Sequence, residues 1–255
     1  IDGAGSSIDL VGSHAPYSDL NVEGEGTSSL NIQNGASVNL ANRLNIGNSA
    51  GTSGSVTISG NSASLITSEV LIGELGFGSL KVWDGGTVQA NSITVGDGGR
   101  LEGTGTVIGD ITVSGELNPG QSPGQLDIVG NLTLADASST LIEIEGLTQG
   151  IEYDFINVDG DVFLDGLLEF TFLNSFSASI GDSFTFLSAT GGIFGSFDSV
   201  ILPSQVGIDF ALINDGLGNL ILEANDANAA SVPLPVTLWL LLAGLTLLAR
   251  RNRAL

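Results

Sequence analysis

Three stretches of the sequence repeat one pattern: residues 30–47 read LNIQNGASVNLANRLNIG, residues 56–73 read VTISGNSASLITSEVLIG, and residues 80–96 read LKVWDGGTVQANSITVG. The first two align without a gap, and the third is one residue shorter. Apolar residues alternate with polar ones at the start of each stretch, as in Leu30 and Ile32, which is the period of a strand with one buried face. The alternation therefore predicts a strand at the same place in every repeat.

Turn residues follow each of these strands at the same offset. The pairs are Asn34-Gly35, Gly60-Asn61 and Asp84-Gly85, and Gly and Asn tolerate the positive φ that a sharp bend requires. Two further short apolar segments complete each repeat, which ends on Gly47, Gly73 or Gly96. A repeat of about 25 residues is thus expected to contain three short strands joined by turns.

Stacking is the simplest way for such units to bury their apolar faces, because one unit alone cannot do so. We therefore predict an all-β chain with a β-solenoid over residues 1–135. The segments Ile8–Leu10 and Leu20–Val22 are interpreted as an earlier, degenerate repeat, and the alternation continues after Gly103. An antiparallel sandwich built from hairpins is the alternative, since its strands are also short and regularly spaced.

The later repeats carry a family resemblance. Gly103-Thr-Gly-Thr-Val107, Leu117-Asn-Pro-Gly-Gln-Ser-Pro-Gly124 and Gly130-Asn-Leu-Thr-Leu134 resemble the β-strand repeats of autotransporter passenger domains and of related PEP-CTERM surface proteins. The resemblance covers about residues 26 to 190. It implies a right-handed parallel β-helix that is displayed outside the cell.

The second half of the chain is richer in Phe. Residues 136–223 still alternate, for example in Leu167–Leu173 and Asp182–Leu187, and we predict a β-rich C-terminal capping domain there, because an open sheet edge invites aggregation unless it is covered. The sequence leaves open whether these strands continue the coil or become antiparallel. Residues 224–231 are small and polar, which is typical of a linker.

The last residues combine a proline pair, an apolar run and a basic end. Val232-Pro-Leu-Pro235 precedes residues 236–249, which are uninterrupted by charge before the arginine at 250, and the basic residues there are Arg250, Arg251 and Arg253. As a helix this run is short for a bilayer core of about 30 Å. By the positive-inside rule the arginines stay on the cytoplasmic side and the preceding chain lies outside.

This order resembles the PEP-CTERM sorting signal of Gram-negative bacteria, with Leu234 where the naming motif has Glu. The residues that carry the resemblance are Val232, Pro233, Leu234, Pro235, Arg250, Arg251 and Arg253. It implies cleavage near the Pro-x-Pro by an exosortase and delivery to the outer surface or an exopolysaccharide matrix, after transient anchoring in the inner membrane. An ordinary C-terminal tail anchor is the alternative.

The charge of the chain excludes one class of function. All 28 acidic residues precede Ser231, where only Arg43, Lys81 and Arg100 are basic, which leaves 3 − 28 = −25 with His14 neutral. Nucleic-acid binding needs a basic footprint, so we predict no nucleic-acid partner. An acidic surface attracts divalent cations and keeps a secreted protein soluble. The chain has no Cys and no Met, so residue 1 is not expected to be a translation start.

Few side chains suggest a chemical site. Arg43 aligns with Glu69 one repeat on, so an ion pair between neighbouring repeats is expected. Lys81 shares its column with Asn31 and Thr57 and is expected to point outward into solvent. His14 stands alone, which argues against a catalytic triad or a zinc site.

Two sets of residues are candidates for binding. Trp83 and Tyr17 are candidate stacking platforms for sugars, against the alternative that Trp83 is a partly buried residue at the edge of a repeat. The acidic residues Asp154, Asp159, Asp161 and Asp165 offer oxygen ligands for loosely bound Ca²⁺, against the alternative that they serve as turn residues at strand ends. No catalytic or cofactor-binding residue is predicted.

These features together predict a secreted, non-enzymatic surface or matrix protein with roles in adhesion, biofilm scaffolding or binding of extracellular polysaccharide. The expected partners are an exosortase, extracellular polysaccharide or other surface proteins, and the membrane before cleavage. The main alternative is a polysaccharide lyase or glycosidase of the pectin-lyase-like β-helix type, which needs carboxylates and a base on one face. A Ca²⁺-dependent self-assembling layer is a further alternative.

Overall fold

The structure, a computed structural model, describes residues 1–10 and 19–228. This part of the chain is all β and contains no helix, as the sequence predicts. The predicted C-terminal helix lies outside the described residues. In chain order the strands are β1 (Ser7–Leu10), β2 (Leu20–Val22), β3 (Thr27–Gln33), β4 (Ser37–Leu40), β5 (Arg43–Ile46), β6 (Ser53–Ser59), β7 (Ser64–Ile66), β8 (Glu69–Ile72), β9 (Phe77–Trp83), β10 (Thr87–Val95), β11 (Gly99–Gly103), β12 (Thr106–Val113), β13 (Glu116–Pro119), β14 (Gln125–Val129), β15 (Leu132–Leu134), β16 (Ser139–Ile144), β17 (Phe155–Asp159), β18 (Val162–Leu164), β19 (Leu167–Phe172), β20 (Ser183–Ala189), β21 (Ile193–Gly195), β22 (Ser199–Ile201), β23 (Ile208–Asn214) and β24 (Asn219–Asp226).

The strands form one sheet of eight strands and one of sixteen. The smaller sheet has the order β22-β19-β16-β13-β11-β9-β6-β3, and its strands are parallel. In the larger sheet the antiparallel strand pairs are β20–β24 and β23–β24. Parallel pairing of this extent contradicts the antiparallel sandwich, because hairpins pair strands in opposite directions. The arrangement is compatible with a β-helix or solenoid.

Each aligned repeat divides between the two sheets in the same way. The first repeat places β3 in the smaller sheet and β4 and β5 in the larger, and the second does so with β6, β7 and β8. In the third, β9 joins the smaller sheet, while β10 replaces two predicted strands with one that is irregular between Gln89 and Ser92. Three strand segments per repeat are therefore confirmed, with the last two fused in the third repeat.

The observed register agrees with the alignment of the repeats. Ile32 lies opposite Ile58, and Ile58 lies opposite Val82. All three side chains are fully buried, and burying an aliphatic side chain of this size contributes about 1.5–3 kcal/mol. The same stacking continues through the interior side chains of the larger sheet, so one hydrophobic core runs through the described repeats.

Two of the predicted turn pairs adopt the left-handed conformation at both residues. Asn34 and Gly35 have φ of 54° and 82°, and Asp84 has 52° before its glycine. In the second repeat, Ser62, with φ of 67°, takes this role together with Gly60. In the middle turn, Gly60 is therefore left-handed as predicted, but the second left-handed residue is Ser62 rather than Asn61.

The repeats extend beyond the aligned block in both directions. At the N-terminal side, Ile8 lies opposite Val38 and β2 pairs with β5, which confirms the degenerate repeat. Toward the C-terminus, Leu117 lies opposite Thr140, and parallel pairing reaches β22. The change in composition at residue 136 is thus not accompanied by a change in strand pairing.

Strand direction changes after β22, where β24 joins β20 and β23 joins β24. Phe184 and Phe186 are fully buried at this end and contact Tyr153 and Phe170 edge to face, with ring centroids 5.4 and 5.1 Å apart. Such aromatic pairs contribute beyond their buried area. Residues 224–226 belong to β24 rather than to the linker predicted to begin at residue 224.

One buried hydroxyl interrupts an apolar column of the smaller sheet. Thr140 lies between Leu117 and Leu168 in register, is nearly inaccessible, and its Oγ1 has no hydrogen-bond partner. Burying an unpaired hydroxyl is unfavourable, so Thr140→Val is expected to raise the free energy of unfolding by about 1 kcal/mol. Urea unfolding checks this, with the half-buried Thr133→Val as the control that brings no such gain. A less stable Thr140→Val protein would contradict the assignment of an unpaired hydroxyl.

Candidate functional site

Each of the three basic side chains within residues 1–10 and 19–228 contacts a carboxylate that lies opposite it on the next strand of its sheet. The pairs are Arg43–Glu69, Lys81–Glu102 and Arg100–Glu116. The Nη2 and Nε atoms of Arg43 lie 2.6 and 2.7 Å from Oε2 of Glu69, so the predicted pair is confirmed. Exposed pairs of this kind contribute at most about 1 kcal/mol each.

Lys81 differs from its prediction as a solvated side chain. It does lie in the outward column of Thr57, but its Nζ is 2.7 Å from Oε1 of Glu102 and 5.2 Å from the centroid of the Trp83 ring. The amine is therefore held by an anion and by an aromatic face at once. Trp83 is half-buried at the edge of the sheet, in agreement with the partial burial weighed against a role as a sugar platform.

Two of the ion pairs border an open cleft of about 440 Å³ on the outer face of the smaller sheet. The cleft crosses β6, β9, β11 and β13, and the turn before β11 closes one side. It is lined by Ser53, Gly54, Ser55, Phe77, Gly78, Ser79, Lys81, Asp97, Gly98, Gly99, Arg100, Glu102 and Glu116. The lining is therefore polar apart from one aromatic ring.

Phe77 is that ring. Its side chain begins β9 in the outward column of Thr27 and Ser53, and the residue is 72% exposed. Leu75, in the turn that precedes it, is 73% exposed. An exposed aromatic ring at the rim of a polar cleft is a candidate contact for a ligand, since binding sites combine apolar side chains with a few polar groups. Phe77 was not among the residues predicted from the sequence, although a large apolar residue in a column of hydroxyls is a visible departure from the pattern.

Fixed polar groups form the floor of the cleft. Ser55, Ser79, Arg100 and Glu116 follow one another in a single registered column. The hydroxyl of Ser79 lies 3.4 Å from Oε1 of Glu102, close enough to donate a hydrogen bond to it. Hydroxyl, carboxylate and guanidinium groups thus lie side by side, an arrangement that can bind a ligand carrying many donors and acceptors.

Asp154, a predicted Ca²⁺ candidate, is buried and hydrogen-bonded to the backbone. It is 1% exposed, and its carboxylate accepts hydrogen bonds from the backbone N–H groups of Gly124 and Glu143, each at 2.8 Å. The pKa of Asp154 is raised to about 8, chiefly by burial and to a smaller extent by the Glu143 carboxylate, although the two N–H donors act in the opposite direction. Asp154 therefore joins the loop at residues 119–124 to β16.

The other Ca²⁺ candidates lie apart from this buried group. Asp159 accepts a hydrogen bond from the Thr190 hydroxyl at 2.8 Å, and Oδ1 of Asp165 accepts one from the N–H of Gly166. Asp161 is half-buried at the turn before β18. Across the described ranges, no three side chains of His, Cys, Asp or Glu converge to form a metal site. The structure therefore does not bring the four aspartates together.

Several predicted features fall on residues that the structure does not describe. They are His14, Tyr17, the motif Val232–Pro235, and Arg250, Arg251 and Arg253. In residues 1–10 and 19–228 there is no helix of a length and apolarity that would cross a bilayer. The sorting signal accordingly remains a prediction from the sequence.

Neither a protein-family model nor a curated protein matches this chain. Its function is therefore inferred from the register of the strands, the cleft and the charges.

Proposed function

We propose that this chain is a secreted, non-enzymatic surface or extracellular-matrix protein whose described strands form a right-handed parallel β-helix. The observation that carries the proposal is the parallel register that continues from β1 and β2 to β22. A stack of this kind is stiff and long for its mass, and it displays repeated outward columns. Those properties suit a scaffold that presents a surface to polymers or to other cells.

The outward columns support an extracellular role. In the larger sheet one column contains Ser37, Ser64, Thr87 and Thr106, and in the smaller sheet another contains Ser29, Ser55 and Ser79. Together with the excess of acidic residues, these hydroxyls keep an extended sheet soluble and discourage association of like surfaces. A polar exterior of this kind is compatible with contact to hydrated polysaccharide.

The C-terminal sequence supplies the proposed route to the surface. The chain is first held in the inner membrane by residues 236–249 and is then cut near Val232-Pro-Leu-Pro235 by an exosortase. Cleavage releases the β-rich part to the outer surface or to an exopolysaccharide matrix of a Gram-negative bacterium. The support is the order of proline pair, apolar run and arginines.

A non-enzymatic role is favoured over a polysaccharide lyase or glycosidase by the pairing of the basic side chains. A lyase of the β-helix type needs a basic side chain that is free to act on the substrate, whereas the described candidates Arg43, Lys81 and Arg100 are each engaged in an ion pair with a carboxylate. The enzyme alternative would be supported by release of unsaturated sugar ends from acidic polysaccharides.

Fractionation of the source cells tests the proposed route. When the full chain is expressed, the cleaved protein is expected on the outer surface or in the matrix, and its mass should show loss of the residues after the Pro233–Pro235 region. A Pro233→Ala, Pro235→Ala double variant is expected to remain uncut in the inner membrane. Arg43→Gln serves as the matched control, because it changes the ectodomain without touching the motif and should be cut normally.

The proposal is wrong if the wild-type chain keeps its intact C-terminus and stays in the inner membrane. It is equally wrong if the chain is recovered from the cytoplasm.

A further inference from the structure

We propose that the cleft around Phe77 binds an uncharged polysaccharide chain that lies across strands β6, β9, β11 and β13. This inference rests on the proposed extracellular function and names the chemical class of its ligand. Four features of the cleft support it: an exposed aromatic ring, a column of hydroxyl and ionic groups, the balance of charges, and the direction of that column.

The first of these features is the exposed aromatic ring of Phe77. Phe77 leaves 72% of its surface to solvent at the rim of the cleft, with Leu75 also exposed in the preceding turn. The C–H groups on one side of a pyranose ring form an apolar patch, and an aromatic face is the surface that such a patch contacts. Polar groups beside a stacked ring then fix the orientation of the ligand.

Hydroxyl groups of a sugar need both donors and acceptors. The cleft provides them in adjacent positions, because Ser55, Ser79, Arg100 and Glu116 form one column and Ser53 lies opposite Phe77. Two ion pairs border these serines, so their charged groups are already held in place before a ligand arrives. Preorganised groups lose less conformational entropy on binding.

The charges argue for a neutral ligand rather than an acidic one. Carboxylates in the lining outnumber cations by one: Asp97, Glu102 and Glu116 against Lys81 and Arg100. Both cations already contact two of those carboxylates. An acidic polysaccharide would have to displace them while approaching a chain of net charge −22, which repels anions over the Debye length.

The direction of the column suits a polymer. Neighbouring strands lie about 4.8 Å apart, and the column from Ser55 to Glu116 crosses four of them. Its groups therefore recur at a distance similar to the length of one hexose unit in an extended chain. The cleft is open rather than enclosed, so a chain can pass through it without a free end.

Another exposed aromatic pair is less suitable. Phe163 and Phe194 lie opposite each other on β18 and β21, with ring centroids 5.3 Å apart and planes inclined by 22°. Because each ring covers one face of the other, Phe163 and Phe194 are less exposed than Phe77 and offer less free ring surface to a ligand. It therefore serves as a control surface.

Affinity electrophoresis of the full chain in mild detergent tests the proposal, with glucomannan, hydroxyethyl cellulose or dextran as uncharged probes and polygalacturonate as an acidic one. At least one uncharged polymer should retard the wild-type chain. Phe77→Ala is expected to weaken that retardation at least tenfold, and Ser55→Gln, which places a longer side chain on the floor of the cleft, should weaken it as well. Retardation should change little with added salt, since no charge is neutralised.

Phe163→Ala is the matched control and should bind like the wild type. Thermal melting of each variant distinguishes a loss of binding from a loss of folding. Because Phe77 is largely exposed, Phe77→Ala is expected to remain folded. The inference is overturned if none of the three uncharged polymers binds, if Phe77→Ala binds normally, or if polygalacturonate binds preferentially and is released by salt. Surface delivery and C-terminal cleavage are measured in separate experiments. If both occur but no polymer binds, only the inference about the cleft is rejected.

Discussion

Replacing Gly78 with alanine is expected to lower the free energy of unfolding by about 3 kcal/mol. A Cβ at this position would lie 2.3 Å from the carbonyl oxygen of Ile46 and 2.6 Å from the backbone nitrogen of Gly73. These two atoms are hydrogen-bonded to each other at 2.9 Å, so neither can move away without losing that bond. The added methyl group must therefore push apart the backbones of neighbouring repeats.

The same restriction recurs along the stack. Gly54, Gly78 and Gly99 lie in register at the start of successive strands, and a Cβ at each would lie within 2.3 Å of a carbonyl oxygen. Gly78 has no left-handed φ, so the loss would arise from close packing rather than from backbone strain. This column explains why glycine is required where the chain passes between the two sheets.

Gly26→Ala is the matched control, because an added Cβ there meets no atom within 4 Å and the backbone is not left-handed. It should leave stability unchanged or raise it slightly through a less flexible unfolded chain. Urea unfolding of the three proteins, followed by circular dichroism, gives the comparison. Equal midpoints for Gly78→Ala and the wild type would show that the backbones do not approach as closely as described.

Removal of the buried carboxyl group at Asp154 should also be severe, with Asp154→Ala losing about 2–4 kcal/mol. The N–H groups of Gly124 and Glu143 would lose their acceptor in a nearly inaccessible place. Each unpaired buried donor costs about 1–3 kcal/mol. Asp154→Asn should fall between, because its amide oxygen can accept one of the two N–H groups while its own NH₂ faces the other.

The difference in stability between the wild type and Asp154→Ala is expected to become smaller as the pH rises. The folded-state pKa of Asp154 is raised to about 8, so the folded chain binds this proton more tightly than the unfolded chain does. Its contribution to stability is therefore full below about pH 4 and declines as the pH rises toward 8. Unfolding at pH 5 and pH 8 should show a smaller gap between wild type and Asp154→Ala at the higher pH. A gap that widens would mean that the carboxylate is ionised in the folded chain at neutral pH.

The repeat itself could be predicted from sequence because it depends on local periodicity. Ile32, Ile58 and Val82 occupy one column of a nearly gapless alignment, and the same alignment places Arg43 opposite Glu69. Parallel strands in register convert such an alignment directly into contacts. The all-β class with its parallel repeats and the first ion pair could therefore be predicted from the sequence.

The contacts beyond Gly96 could not be predicted from the alignment of the repeats. The repeats there change length, so the partners of Lys81 and Arg100, which are Glu102 and Glu116, fall outside the aligned block. Phe77 contributes to no periodic pattern. Its place in a cleft depends on the side chains of three further strands.

Asp154 shows a different limit. In the sequence it resembles its acidic neighbours, and it was grouped with them as a Ca²⁺ ligand for that reason. Its burial results from contact with the loop at residues 119–124, about 30 positions earlier. A distance of that length along the chain is set by the number of residues in the intervening repeat, which the sequence alone does not fix.

The order of strand pairing has a consequence for how the molecule unravels. Most paired strands belong to adjacent repeats, and the chain contains no Cys that could tie distant repeats together. In such a linear array, stability is a sum of nearest-neighbour terms rather than a property shared by the whole molecule. Fraying that starts at one end can stop at an interior boundary, leaving the remaining repeats intact. A weak interface in the middle would divide the array into two independently melting segments.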